Sequence, residues 1–189
     1  MATNQERTEA TRAALISSAS ALFATQGFAA TSTPQLTRRA GVSRGALYHH
    51  YEDKADLLRA VIEHHLTQLA ETVDSNPRLE DPIEDMISAG EAYLDAMAVD
   101  GRYRLLYVEG PAVLGFETMK ELDQELGVRT LRQGLCRAVA SGAVDDVDVE
   151  SLADLISAAY EETARNGTPR HRSALRALIR GLRARPTAP

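Results

Sequence analysis

Apolar residues recur along most of the chain at intervals of three and four, the spacing of one face of an α-helix. In the first such segment Leu15, Ala19 and Phe23 share a face, which predicts a helix over about residues 6–26. Gly27 ends that segment, since glycine readily adopts the conformation that closes a helix. No segment alternates between apolar and polar residues convincingly enough to be a strand, so the pattern predicts an all-α protein.

Two short helices are predicted next, separated by a tight turn. Ser32 and Gln35 have the spacing of a capping box, which begins a helix that ends near Ala40. After the glycine turn Ser43 can act as the N-cap of a third helix, over about residues 44–51. Two short helices joined by a turn of this kind predict a helix-turn-helix.

The third predicted helix has one apolar face and one face of small and polar residues. Leu47 and Tyr51 point toward the preceding helices, which leaves the other face for a partner. Small residues let a helix backbone approach a surface, histidine and tyrosine donate to phosphates, and arginine reaches a guanine edge. The residues concerned are Arg44, Gly45, Ala46, Tyr48, His49 and His50. The structural alternative is a solvated polar face.

Residues 10–60 resemble the DNA-binding domain of the TetR family of transcriptional regulators. The resemblance lies in ALFATQGFAATS, AGVSRGALYHHY and DKADLL, which occur in this order. It implies that Lys54 holds a backbone phosphate and that DNA is contacted by Thr33, Ser43, Arg44, Gly45, Ala46, Tyr48, His49 and His50. Thr33 and Thr37 stand where the family usually has an apolar residue and an alanine. The implied domains are a DNA-binding domain of residues 1–52 and an effector-binding and dimerisation domain of residues 53–189.

The second part of the chain is also predicted to be helical. Asp53 caps a helix to about residue 73, and Asp81 followed by Pro82 begins another. A short helix over residues 102–109 is predicted to end at Gly110-Pro111, and a longer, interrupted helix follows.

Large aromatic and methionine side chains accumulate between residues 86 and 119. At helical spacing such residues normally pack a core, but in the resembled family the C-terminal domain binds a small effector. The residues predicted to line an effector pocket are Met86, Tyr93, Met97, Tyr103, Tyr107, Glu109, Phe116 and Met119. Their character favours an apolar or aromatic effector.

The last two predicted helices form a hairpin, over about residues 148–164 and 168–183. Each carries an apolar stripe, and two such hairpins from two chains make a four-helix bundle, as in dimers of the resembled family. The predicted interface consists of Leu152, Leu155, Ile156, Ala159, Leu175, Leu178, Ile179 and Leu182. The first helix is acidic and the second basic, so we expect them to attract each other across the hairpin or the dimer. The alternative is that the basic helix binds DNA directly.

Charge is distributed unevenly along the chain. The net charge is −6, but residues 1–54 carry +2 and the remainder −8, so the two parts are expected to face different partners. No apolar run reaches the roughly 20 residues of a membrane span, and the first residues do not resemble a secretory signal. The single cysteine cannot form an internal disulfide. We therefore expect a cytoplasmic protein.

Motifs for catalysis are missing from the sequence. It contains no P-loop, no GxSxG and no HExxH, so we expect no catalytic residues, no cofactor and no metal. A metal site at His49, His50, His64 and His65 is disfavoured because adjacent histidines diverge by about 100° on a helix. The sequence thus predicts a dimeric regulator, a repressor released from a palindromic operator by a small effector. The alternatives are a helical enzyme and an architectural DNA-binding protein without an effector.

Overall fold

Most of the residues that the computed structural model of this protein describes, 3–126 and 128–184, are helical. Within these ranges there is no β-strand, so the all-α prediction is confirmed. None of the described helices is both long and apolar enough to cross a bilayer. The helices are α1 (Asn4–Gln26), α2 (Thr33–Ala40), α3 (Arg44–His50), α4 (Lys54–Asp74), α5 (Pro82–Met97), α6 (Arg102–Arg104), α7 (Gly110–Leu114), α8 (Phe116–Leu126), α9 (Arg129–Ala140), α10 (Val149–Asn166) and α11 (Pro169–Arg180).

Local capping residues set where the helices of the predicted helix-turn-helix begin. The Ser32 backbone N–H donates to Gln35 Oε1 at 2.8 Å, half of the predicted capping box. The Ser43 hydroxyl accepts the Ala46 N–H at 3.0 Å, and Gly41 closes α2 with a φ of 68°. The predicted starts of α2 and α3 are therefore confirmed, and both follow from neighbouring side chains alone.

The prediction that Gly110-Pro111 ends a helix is wrong. A π-helical turn, Leu105–Glu109, leads directly from α6 into α7, and Pro111 lies in the first turn of α7. Proline is tolerated there because the backbone widens into the π-helical turn just before it, where the regular i→i−4 hydrogen-bond pattern is already interrupted. The helical path ends instead at Gly115, whose φ is 85°.

The described residues fall into two compact units. The first unit contains the chain up to Leu66 together with Asp100–Leu122, and the second unit contains Thr67–Val99 and the chain from Asp123 onward. These units group residues by packing. The predicted domain boundary between residues 52 and 53 stays a prediction.

In the first unit, α1, α2 and α3 pack on one another. Phe23, Leu36 and Leu47 are buried, as expected for the inner faces of a helix-turn-helix. Thr37, which stands where the resembled family usually has alanine, is also buried. Its hydroxyl donates to the backbone oxygens of Thr33 and Pro34 at 3.2 and 3.3 Å. The extra hydroxyl is therefore satisfied within α2.

The second unit has a core shared by α5, α9, α10 and α11. Three residues of the predicted dimer interface, Ile156, Leu175 and Ile179, are buried in this core. The structure corrects the interface prediction for these three residues, because α5 already covers the sides of α10 and α11 that carry them. Leu152, Ala159 and Leu182 are partly buried against the same core. Leu155 and Leu178 remain 70 % and 51 % exposed, so the interface prediction now rests mainly on these two.

Three arginines of α11, and Arg183 just beyond it, are paired with carboxylates of α5 and of its N-cap. Arg172 and Arg176 both contact Glu91 at 2.8 Å, and further pairs join Arg180 to Glu84 and Arg183 to Asp81. The expectation that these arginines attract the acidic helix α10 is therefore wrong within the chain. The pairing of these four charges also weighs against the alternative that this helix binds DNA directly.

A buried histidine makes folding stability depend on pH in the first unit. The Ser20 hydroxyl lies 2.7 Å from His65 Nε2, and Arg102 Nε donates to His65 Nδ1 at 3.1 Å. Nδ1 is thus the acceptor of a neutral ring. Burial, and then the charges of Arg102 and His64, lower the pKa of His65 to about 4.

We expect acid to destabilise the protein through His65. Its pKa in the unfolded chain is about 6.5, so between about pH 6.5 and 4 the unfolded state binds a proton that the folded state excludes. The free energy of unfolding should fall by about 3 kcal/mol as pH decreases through this window. Burial raises the pKa of Asp123 to about 6, which acts in the opposite direction. The measurement is therefore the difference between wild type and His65→Gln at each pH; a constant difference would contradict the prediction.

Candidate DNA-binding site

The surface of α3 presents the residues that the sequence predicted for DNA contact. Ser43, Arg44, Gly45, Tyr48 and His49 are exposed, while Ala46 and His50 are partly exposed. Leu47 and Tyr51 lie on the buried side. The helix therefore has the two faces that its sequence predicted, one for packing and one free to approach a partner.

Side chains from two helices meet at the start of this surface. The Arg44 guanidinium carbon lies 5.5 Å from the centre of the Tyr48 ring, one helical turn away. The side chains of Thr33 and Arg44 beside the Tyr48 phenol lower the pKa of Tyr48. Thr33, Arg44 and Tyr48 are thus brought together.

Lys54 has a clear role within the protein. Its ammonium donates to the backbone oxygens of Phe28 at 2.7 Å and Thr31 at 2.9 Å, and it lies 4.1 Å from the centre of the Phe28 ring. These contacts fix the turn between α1 and α2 to the start of α4. The predicted phosphate contact stays a prediction, for which the third ammonium hydrogen would be used.

The sequence prediction left out two basic residues near this surface. Arg38 and Arg39 lie in the last turn of α2, and both are exposed. Their signal was present in the sequence as adjacent arginines next to the glycine turn. Exposed arginines beside a recognition helix are suited to phosphate contact.

A second group, also missed, ties the α1–α2 turn to the π-helical turn. The Phe28 N–H donates to Glu109 Oε2 at 2.9 Å, and Arg104 Nε donates to Glu109 Oε1 at 2.9 Å. Arg104 also reaches the backbone oxygens of Ala24 and Thr25 at 3.4 and 3.3 Å. We call Phe28, Arg104 and Glu109 the turn junction. No local pattern indicates it, because about 80 residues separate its two sides.

The predicted effector residues do not form one cluster within either unit. In the second unit Met86 and Met97 are buried, and Tyr93 packs edge-on against Tyr160. In the first unit the rings of Tyr103 and Tyr107 lie 5.1 Å apart, and Met119 is buried.

Two residues of the predicted effector set have other surroundings. Phe116 is 70 % exposed at the start of α8, which contradicts its prediction as a lining residue. Glu109 is only 13 % exposed, and its carboxylate is used in the turn junction. Its polar oxygens are therefore explained without an effector.

Comparison with known proteins decides the family. Residues 15–61 match the model of bacterial regulatory proteins of the tetR family, and residues 83–184 match that of the tetracyclin repressor-like C-terminal domain. The chain belongs to the TetR family. This confirms the resemblance seen in the sequence.

Relatives of this TetR-family chain match it along most of their length. The HTH-type transcriptional repressor AcnR of Corynebacterium diphtheriae is 25 % identical over 84 % of the chain and 93 % of its own length. A TetR-family transcriptional regulator from Pectobacterium atrosepticum is 30 % identical, with a TM-score of 0.73 over 98 % of the chain and all of its own. RolR in complex with resorcinol, at 18 % identity, shares the fold with a TM-score of 0.72 over 95 % of the chain and 90 % of its own.

Membership establishes the general activity of this TetR-family chain. It is a DNA-binding transcriptional regulator, and its relatives and fold neighbours are regulators rather than enzymes. Regulators of this family bind DNA and small-molecule effectors and act as dimers. The helix-turn-helix formed by α2 and α3 is the part of the fold suited to the DNA.

Gly45 provides a test of how closely α3 approaches DNA. A Cβ added there would lie 3.8 Å from the Ser43 hydroxyl, so alanine fits the protein itself. Gly45→Ala should stabilise folding by about 0.5 kcal/mol, because alanine has the higher helix propensity. The added methyl should nevertheless weaken operator binding by about 1 kcal/mol or more, as overpacking does. Thermal unfolding of this variant checks the expected gain in stability, and operator titration checks the expected loss of affinity. Unchanged operator affinity would contradict a close approach of α3 to DNA.

Proposed function

We propose that this regulator is a repressor that a small apolar or aromatic effector releases from a palindromic operator. AcnR, a transcriptional repressor that aligns along most of the chain, supports the direction of regulation. RolR with resorcinol has the same fold, so this fold can hold a small aromatic ligand. Tyr103 and Tyr107 are suited to such a ligand, since they combine aromatic surface with hydroxyl groups.

The observation that carries the proposal is the turn junction. Glu109 lies at the end of the π-helical turn, and its carboxylate holds the N–H of Phe28. Lys54 holds the carbonyl of the same residue. A shift of the Leu105–Glu109 turn would therefore move Phe28, and with it the entry to α2. This is a direct mechanical route from a segment rich in tyrosine to the helix-turn-helix.

Each DNA-contact residue has a proposed task. Arg44 reads a guanine, because its guanidinium can pair with two acceptors in the major groove. Phosphates or bases are held by Ser43, His49, His50 and Lys54, while Thr33 and Tyr48 lie beside Arg44 on the same surface. Gly45 and Ala46 let the α3 backbone come close.

A palindromic operator follows from the proposed dimer. Two copies related by a two-fold axis place two α3 helices in successive major grooves, about 34–36 Å apart. The exposed Leu155 and Leu178 of the α10–α11 hairpin are the proposed contacts between the copies.

Calorimetry tests the effector response without knowledge of the regulated genes. An effector is first sought by thermal shift among small phenols and other aromatic compounds, and it is then titrated into the protein with and without operator duplex. The proposal predicts that operator weakens effector binding by about 5- to 150-fold, and that effector weakens operator binding by the same factor. Equal effector affinity in both titrations would contradict it, and would favour a protein that binds DNA without such control.

A further inference from the structure

Arg44, the first residue of α3, is in contact with the ring of Tyr48 in the same helix. Arg44 begins α3, and Tyr48 lies four residues later, on the same side of the helix. The guanidinium carbon of Arg44 is 5.5 Å from the Tyr48 ring centre, within the distance at which a cation and an aromatic face attract each other. An exposed arginine otherwise samples many rotamers, so the ring restricts where this guanidinium points.

Thr33 connects the same tyrosine to the neighbouring helix. Thr33 is the first residue of α2, next to the Ser32 N-cap. Its side chain, like that of Arg44, lies close enough to the Tyr48 phenol to lower the pKa of Tyr48. The Tyr48 ring thus lies against the Arg44 guanidinium at its face, with Thr33 near its hydroxyl. The helices α2 and α3 that carry these residues pack on each other.

We infer that Tyr48 is a positioning residue for Arg44, and that its ring sets how strictly Arg44 reads its base. The inference rests on the proposed role of Arg44 in base reading. A guanidinium that already points into the groove loses less freedom on binding, and the gain is realised only where the base offers the matching acceptors. The ring therefore sharpens the preference at one operator position. A tyrosine that merely donated its hydroxyl to a phosphate would instead strengthen binding to all sequences alike.

Variants of Tyr48 separate the ring from the hydroxyl. Tyr48→Phe keeps the aromatic face and removes the hydroxyl, whereas Tyr48→Leu removes both. Thr33→Val keeps the shape of Thr33 and removes only its hydroxyl. Thr72→Val is the matched control, because Thr72 is an exposed helical threonine whose hydroxyl bonds only to the backbone, at Gln68, in the bonds that the structure describes.

The test is made on the operator that wild-type protein selects from a pool of random duplexes. Affinities are measured for that duplex and for each single-base change, at one salt concentration. Arg44→Ala should remove a preference of about 5- to 150-fold at one position of each half-site. Tyr48→Leu should reduce the preference at this same position by about 2- to 5-fold, and by nothing further in the Arg44→Ala background. Tyr48→Phe should keep most of the preference that Tyr48→Leu loses, because it keeps the aromatic face. Thr33→Val should resemble Tyr48→Phe, and Thr72→Val should resemble wild type.

The possible outcomes distinguish failure of the inference about Tyr48 from failure of the proposed base reading by Arg44. If Arg44→Ala changes no positional preference, Arg44 does not read a base and the proposed role of Arg44 fails. If Arg44→Ala removes a preference that Tyr48→Leu leaves intact, the role of Arg44 stands and the inference is overturned. A uniform loss in Tyr48→Leu across all duplexes also overturns it, since that is the behaviour of a phosphate contact. Thermal unfolding of each variant shows whether the helix-turn-helix is intact.

Discussion

Replacing Leu155 and Leu178 together by Glu should convert the protein into monomers and reduce operator affinity by about 1,000-fold or more. Both side chains are largely exposed on the α10–α11 hairpin, so the variant chain can still fold around its own core. In a dimer the same positions would place charges in an apolar interface, where unpaired charge is strongly unfavourable. A monomer engages one half-site, and it loses the effective concentration that binding of the first half-site provides for the second.

Sedimentation at micromolar concentration and operator titration measure both consequences. Leu79→Glu is the matched control, since Leu79 is also exposed but lies outside the hairpin, and it should stay dimeric. If the double variant remained a dimer with wild-type affinity, the interface would lie elsewhere on the chain.

Replacing Glu109 by Leu should abolish the effect of effector on operator binding. The Glu109 carboxylate is nearly buried and holds both Phe28 and Arg104, so its loss leaves an N–H and a guanidinium without their acceptor. We expect the free energy of unfolding to fall by about 3 kcal/mol. The predicted 5- to 150-fold coupling should fall to about one, because the π-helical turn no longer holds the α1–α2 turn.

Glu109→Gln separates coupling from stability. Its amide oxygen can still accept the Phe28 N–H, but the charge that pairs with Arg104 is lost, so coupling should be reduced rather than removed. Glu117→Leu changes an exposed glutamate of α8 and should behave as wild type. Faster hydrogen exchange at Phe28 in the Glu109 variants would report loosening of the turn directly. Undiminished coupling in Glu109→Leu would show that the effector signal takes another route.

Features that depend on neighbouring residues could be predicted from the sequence. Ser32, Ser43 and Gly41 define α2 and α3 through contacts within a few positions, and the apolar spacing of Leu36 and Leu47 identifies their buried faces. The exposed side of α3 follows from the same spacing. The helix-turn-helix is therefore recoverable from about 25 residues of sequence.

Features that depend on distant residues could not be predicted from the sequence. Glu109 meets Phe28, and Arg172 meets Glu91, across about 80 positions, and neither pair is marked by a local pattern. Gly110-Pro111 is usually a helix end, yet here α7 continues because the backbone first widens into a π-helical turn. A Cβ on Gly110 would lie 2.7 Å from Met119 and 2.8 Å from Ile62, so the glycine serves tertiary packing rather than termination.

The most direct test of the central claim is selection of random duplexes by the purified wild-type protein, with Arg44→Ala in parallel. The account predicts an inverted repeat whose half-sites are separated by one helical turn or a multiple of it. Arg44→Ala should recover the same repeat with one symmetric pair of positions no longer specified. Enrichment of no sequence, or of a single unrepeated half-site by a dimeric protein, would contradict it.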